Sequence, residues 1–352
     1  MKTALLGLLF AAVLTVDYPP GPWPAHVFHA GVFALGAVWL ARAAMGKEKI
    51  AWHWALIPAA CLAAWPWAQL AAGWSAYPAE TVAAGIAWGA NAMTMFLAAQ
   101  MSGRPVERAD MRRAMLYFGF AVSVLSVMQY FTSPGRVFWI FQTEDTDQVM
   151  GPFVSRDHYS AFVELVLPLA VVAAQRERRR AVLYAVMAGA MFASVVAGAS
   201  RAGAILVTLE ALALLVPQAL AGAGRRSAWL AFGRVAALAA AFTLVVGWEV
   251  LWERFQDPGP YHLRREMALS ALHMAKDRPW TGFGAGTFAT VYPAYALFDS
   301  GLFVAHAHNE WAEWAAEGGF GFAALMLVLV GWVAWRVCQP LSVAQTPDCQ
   351  AK

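Results

Sequence analysis

The sequence predicts an all-α fold: a polytopic helical membrane protein of about ten transmembrane helices. Three observations carry that prediction. First, 60% of the 352 residues are hydrophobic and only 13% are charged. A soluble globule carries about 25% charged residues, and its surface alone needs roughly 25–35%. Second, the apolar residues fall in long runs separated by short polar punctuation, and the mean hydropathy is +0.52. Third, the runs lack the ten-residue alternation of a lipid-facing barrel. Helices remain, because a backbone in lipid must satisfy its own polar groups.

The runs lie at 3–16, 25–44, 50–66, 78–99, 114–131, 160–175, 181–198, 202–218, 230–250 and 317–335. The first is short and follows Lys2, as a signal peptide would. No A-x-A-like cleavage site precedes the Asp17-Tyr18-Pro19-Pro20 turn, so the segment is expected to stay as a helix. The third run contains Pro58 and Pro66, which are expected to kink or end it. All ten are rich in Ala, Leu, Val, Gly and Trp, which suits helices packed through small residues. No internal repeat or soluble domain interrupts them, so 1–352 reads as a single integral membrane domain with a loose tail after Arg336.

Charge sets the orientation. With the N-terminus in the cytoplasm, seventeen of the 25 basic residues fall on the inner side. They include Arg42, Lys47 and Lys49, then Arg104, Arg108, Arg112 and Arg113, then the Arg176–Arg180 cluster with Arg225 and Arg226. Both termini are then cytoplasmic. Two outer segments are long, about 132–159 and 251–316, and a long loop over a charge-poor bundle is a natural place for a site. In the second, Tyr261–Ala275 has the pattern of an amphipathic helix. Pro279, Gly282, Gly284 and Gly286 end it, and 307–316 forms another short helix leading into the last run. The net charge of +3 gives no argument for nucleic acid. Cys61, Cys338 and Cys349 offer no C-x-x-C, so neither disulfides nor zinc thiolates are expected.

Four places carry chemistry. In Gly198-Ala199-Ser200-Arg201-Ala202-Gly203, Arg201 sits near the outer surface among small residues. A lipid phosphate would explain it; so would an arginine snorkelling to headgroups. Arg264 and Arg265 present guanidinium forks that match phosphate oxygens, but neighbours on a helix point apart, so one of the two faces a site. A solvated face accounts for them nearly as well. In His306-Ala307-His308-Asn309-Glu310, a neutral histidine can take a hydroxyl proton, and Asn309 or Glu310 can orient it. No outer cluster completes a metal site around H-x-H, and solvated or structural histidines are the bland alternative. In Ser155-Arg156-Asp157-His158-Tyr159, Arg156, Asp157 and His158 either line a glycan entrance or cap the helix. Most of the 17 tryptophans read as belt anchors, with Trp280, Trp311 and Trp314 open to sugar stacking. The glycines at 282, 284 and 286 resemble a nucleotide loop only superficially, since no strand precedes them.

These motifs, in this order, resemble the O-antigen ligase / O-antigen polymerase superfamily of integral membrane glycosyltransferases. The resemblance rests on Gly151-Pro152-Phe153 with a helix ending at Leu167-Pro168, and on Ser200-Arg201-Ala202-Gly203. It continues through Arg264, Asp277-x-Pro279, the spaced glycines and Tyr292-Pro293-x-Tyr295, and ends on His308-Asn309 with Gly319. It covers about 151–322, the expected catalytic region, with a periplasmic loop at about 251–316. The resemblance implies transfer of a glycan from undecaprenyl diphosphate at the periplasmic face of the bacterial inner membrane. The acceptor it implies is lipid A core, a second lipid-linked repeat unit (polymerase activity) or protein. It places the signature histidine at His308 and the diphosphate-binding arginines at Arg201 and Arg264, with Arg265 one residue out of register. Tyr292, Tyr295, Trp280 and His306 join the residues expected to line the substrate. Membrane lipids are the other partners, and no cofactor or metal is implied. A transporter of lipid-linked or anionic solutes is the rival from another class; it would show broken polar helices near the midplane.

Overall fold

The structure, a computed structural model, describes residues 1–18, 20–143, 149–220, 225–257, 259–297, 301 and 303–338. The expected tail, with Cys349 and Lys352, lies outside them, as do the side chains of Arg225, Arg226, Arg336 and Cys338. The described residues are all-α apart from one small hairpin. Among the described residues, seven helices are long and apolar enough to cross a membrane: Trp23–Ala44, Pro78–Met101, Pro105–Thr132, Arg156–Arg176, Arg178–Ala197, Trp229–Val246 and Glu310–Trp335. Lys2–Leu14 and Leu56–Ala71 are shorter apolar helices. The protein is therefore an all-α, multi-pass membrane protein. The chain forms two compact units, 1–48 with 100–258 and 49–99 with 259–352.

The first unit holds α1 (Lys2–Leu14), α2 (Trp23–Ala44), α5 (Pro105–Thr132), α6 (Arg156–Arg176), α7 (Ala181–Ala197), α8 (Arg201–Leu220), α9 (Arg225–Val246) and α10 (Glu249–Gln256). Its centre is α7: 67% of its most apolar 18-residue stretch is buried, against 17% of Trp229–Val246. Small residues set the packing, as lipid gives helices no hydrophobic reason to associate. A Cβ at Gly189 of α7 would stand 2.9 Å from the Ala239 backbone of α9, and one at Gly203 of α8 would stand 2.3 Å from Ser160 Cβ of α6. The core runs through Val163, Leu167, Tyr184, Met187, Met191 and Val207.

The 132–159 segment contains a feature the sequence does not announce. Strands β1 (Arg136–Val137) and β2 (Phe141–Gln142) pair antiparallel, with Phe138 at φ 50° and Trp139 at φ 64° between them. Buried Gln129 of α5 holds this turn. Its amide donates to the Arg136 carbonyl, and its oxygen accepts the Phe138 N–H at 3.2 Å.

The second unit holds α3 (Leu56–Ala71), nearly all of α4 (Pro78–Met101), α11 (Gly259–Asp277), α12 (Phe288–Val291) and α13 (Glu310–Cys338). The third helix departs from expectation. It starts at Leu56, places Pro58 in its first turn, where a missing N–H costs nothing, and continues through Pro66 to Ala71. Leu62 packs with Phe322 and Met326 of α13, and that burial holds the helix together across the proline. The expected helix at 261–275 is α11, and the expected 307–316 helix is the first part of α13.

Helix α13 breaks at Gly319, where φ is 74° and ψ is 177°. A break orphans carbonyls before it and amides after it, and each needs a partner. The loop at 278–288 provides them. The Phe283 N–H donates to the Ala316 carbonyl at 3.0 Å, and the Gly284 N–H donates to the Glu317 carbonyl at 2.9 Å. In the other direction, the Phe320 N–H donates to the Pro279 carbonyl at 2.7 Å. The spaced glycines are there because this loop runs against backbone: a Cβ at Gly282 would stand 2.1 Å from the Glu317 oxygen.

Gln69 of α3, fully buried, fastens the same loop. Its Nε2 donates to the Thr281 and Glu317 carbonyls at 2.6 and 2.8 Å, and its Oε1 accepts the Ala285 N–H at 3.0 Å. Gln69→Leu conserves bulk and leaves buried backbone groups unpaired. It is expected to cost about 2 kcal/mol, read as a lowered Tm of the detergent-purified protein; an unchanged Tm would remove Gln69 from this role.

Candidate functional site

In the first unit, the chain folds three sequence motifs onto one another at the start of α6 and α8. Gly151-Pro152-Phe153 closes a tight turn, with Met150 and Phe153 exchanging backbone hydrogen bonds at 2.8 and 3.1 Å. Asp17 accepts the next amide, that of Val154, at 2.8 Å. Asp157 then sits in the first turn of α6, where the helix dipole favours a carboxylate. Its Oδ1 accepts the Ser200 hydroxyl at 2.7 Å. Ser200 in turn accepts the Gly203 N–H at 3.2 Å and so caps α8. The turn before it is tight enough to hold Ala199 at φ 53°.

Arg201 is 8% exposed. Its Nη1 donates to the Arg254 and Asp257 carbonyls, both at 2.7 Å. These carbonyls lie at the C-terminal end of α10, the negative end of that helix dipole, where a guanidinium binds well. Arg201 thus joins the start of α8 to the end of α10 and has its guanidinium plane fixed. Arg156 is half-buried at the head of α6, and His158 is exposed.

In the second unit, α11 turns Leu263, Met267, Ala271 and Met274 into a core with Ala307, Ala312 and Ala316 of the segment around the head of α13. The same helix leaves Arg264 half-buried beside that face and Arg265 exposed, which separates the two neighbours as helical geometry requires. Tyr292 is 5% exposed and packs inside this core, on Phe288. Half-buried Tyr295 donates its hydroxyl to Asp277 at 2.6 Å; that hydrogen bond first, then burial, pushes its pKa up. Arg278 lies 4.5 Å over the Phe283 ring and donates to the Trp74 carbonyl, so it braces the loop. Trp280 is 74% exposed, and Trp311 meets Trp314 edge-on at 5.2 Å.

His308 stands exposed just ahead of α13, at φ 51°. That left-handed conformation costs a residue other than glycine about 1–2 kcal/mol, so its surroundings must impose it. Three contacts do so. Ala307 is fully buried in the core. Asn309 Oδ1 accepts the Ala312 N–H at 3.2 Å, the N-cap of α13. Glu313, 9% exposed, reaches back: its Oε2 accepts the Ala307 N–H at 2.7 Å and its Oε1 meets His306 Nδ1 at 2.9 Å. The hydrogen bond to Glu313 is the main reason the His306 pKa is raised. Glu310 is exposed in the first turn. One turn beyond Glu313, Glu317 accepts the Gly286 and Phe288 N–H groups at 2.8 and 2.9 Å.

A family model described as O-antigen ligase matches residues 154–329, half of the chain. The match spans Asp157, the Ser200–Gly203 turn, α11, the glycine loop and His308 through Gly319. The chain belongs to the O-antigen ligase family. The comparisons with curated proteins and with solved structures find no match. As a member of the O-antigen ligase family, the protein has ligase-like activity of the glycosyltransferase kind, with a lipid-linked glycan and an acceptor as its partners.

Sequence reasoning passed over Gln69, Glu313 and Glu317. One signal was available for the last two. Glu313 and Glu317 are four residues apart, hence on one helix face, in a stretch otherwise made of Ala and Trp. A carboxylate pair in such apolar company needs partners, and backbone amides provide them.

Proposed function

We propose that the protein transfers a glycan from undecaprenyl diphosphate to an acceptor at the periplasmic face of the bacterial inner membrane, by an inverting reaction that needs no metal. His308 takes the proton of the acceptor hydroxyl as that oxygen attacks the anomeric carbon. The bond from that carbon to the diphosphate breaks, and Arg201 and Arg264 offset the charge that collects on the leaving group. Arg265 is the alternative to Arg264; Arg156, Asp157 and Trp280 contribute to the substrate surface. The distribution of basic residues supports the orientation, with both termini cytoplasmic and His308 outside.

The observation that carries this reading is an exposed histidine in a backbone conformation fixed by its neighbours, inside the region matched to the family. The test is transfer by purified protein, with a lipid-linked donor, a lipid A core acceptor and EDTA. Full turnover in EDTA with inverted anomeric configuration is expected. Absolute dependence on an added divalent cation would reject the metal-free mechanism. Donor units joined to each other in place of the core would assign the protein to polymerisation.

A further inference from the structure

We propose that Glu313 is a positioning residue for His308, and that it works as a two-armed clamp with His306 as the counter-jaw. The inference rests on the base role proposed for His308. Glu313 grips the His306–Ala307 peptide, one residue ahead of His308, through the buried Ala307 N–H, and grips the His306 ring beside it. The Glu313 side chain is 11% exposed and that of His306 is 64% exposed, so one jaw is built into the core and the other faces solvent. The peptide between them leads directly into the φ 51° conformation of His308. The hydrogen bond to a protonated imidazole is charge-assisted and stronger than one to the neutral ring.

The clamp is therefore linked to pH. The charged groups acting on His306 are Glu313, Glu310 and Glu317, and all three favour its protonated form. Its folded pKa lies above the ordinary 6.5. The added stability is complete below about 6.5 and is lost as pH rises through the raised folded value. A base at His308 gives a rising limb as pH increases. Release of the His306 proton gives the falling limb, so the rate profile is bell-shaped, and the two limbs belong to different histidines.

The experiment measures kcat, donor KM and the pH profile for wild type, Glu313→Ala, Glu313→Gln, His306→Asn and His308→Ala. Glu313→Ala removes both arms and is expected to lower kcat roughly 10- to 100-fold with donor KM little changed. Glu313→Gln keeps an oxygen for the Ala307 N–H and an amide for a neutral His306. It should recover most of kcat and lose the falling limb. His306→Asn, at an exposed position, should also lose that limb, and it decides the matter if Glu313→Ala fails to fold. Glu313→Gln and His306→Asn with wild-type profiles, falling limb intact, would overturn the clamp while an inactive His308→Ala leaves the base role standing. Near-normal turnover in His308→Ala would instead remove the base role.

Discussion

Replacing His308 with alanine is expected to reduce transfer by about 100-fold or more while leaving the protein folded. The two halves of that expectation have separate causes. A general base raises the rate by removing the hydroxyl proton as the new bond forms, and no other group in the His306–Glu310 stretch repeats that task from the same backbone position. Folding is expected to rest on the neighbours of the imidazole. The packing around it belongs to Ala307, the cap belongs to Asn309, and the tether belongs to Glu313. The ring itself is exposed, and alanine meets the same left-handed backbone requirement as histidine does. The stability change should stay within about 0.5 kcal/mol, as for most surface substitutions. The measurement is single-turnover transfer beside a thermal melt in the same detergent. A near-normal rate, or a melt that collapses with the rate, would refute this account of the site.

Gly282→Ala is expected to produce the opposite pattern, with stability lost first and activity following it. Gly282 has φ +62°, and an added methyl would lie 2.1 Å from the Glu317 carbonyl oxygen, 2.3 Å from its carbon and 2.6 Å from the Gly318 nitrogen. These are backbone atoms at the break in α13, so no side chain can swing aside. Left-handed strain of about 1 kcal/mol and overpacking of a further 1–3 kcal/mol give on the order of 3 kcal/mol. The readout is the Tm and the yield of monodisperse protein. Gly7→Ala is the control, because nothing lies within 4 Å of its methyl and its backbone is already helical. Equal behaviour of the two variants would mean that the loop does not support the helix break in the way described.

What could be read from the sequence follows from range. Hydropathy placed most of the apolar helices because each run is decided by its own composition, but the third lies at Leu56–Ala71, not 50–66, and the fifth begins at Pro105, ahead of 114. The His308 region, Arg264 and the Ser200–Gly203 turn were legible as short patterns of reactive or small residues. What the sequence did not show is long-range. Pro66 looked like a helix end, and packing of α3 on α13 carried the helix through it. The glycines at 282 and 284 meet the backbone of Glu317, just before the break at Gly319 and more than thirty residues later, which no local pattern announces. Nothing in the sequence announces the two carbonyls of its own chain to which Arg201 Nη1 donates. Gln69 could not be found at all, because its partners are 212 to 248 residues away.

Surface connections ordinarily gain and lose residues freely in the course of evolution. The stretch from Pro279 to Phe288 has no such freedom, since its amides and carbonyls meet fixed positions on α13 at both edges of the break. One inserted residue would shift every later partner at once, as a slipped register does in a sheet. Length is thus as strict a requirement here as residue type, and divergence among such chains should accumulate on either side of this stretch.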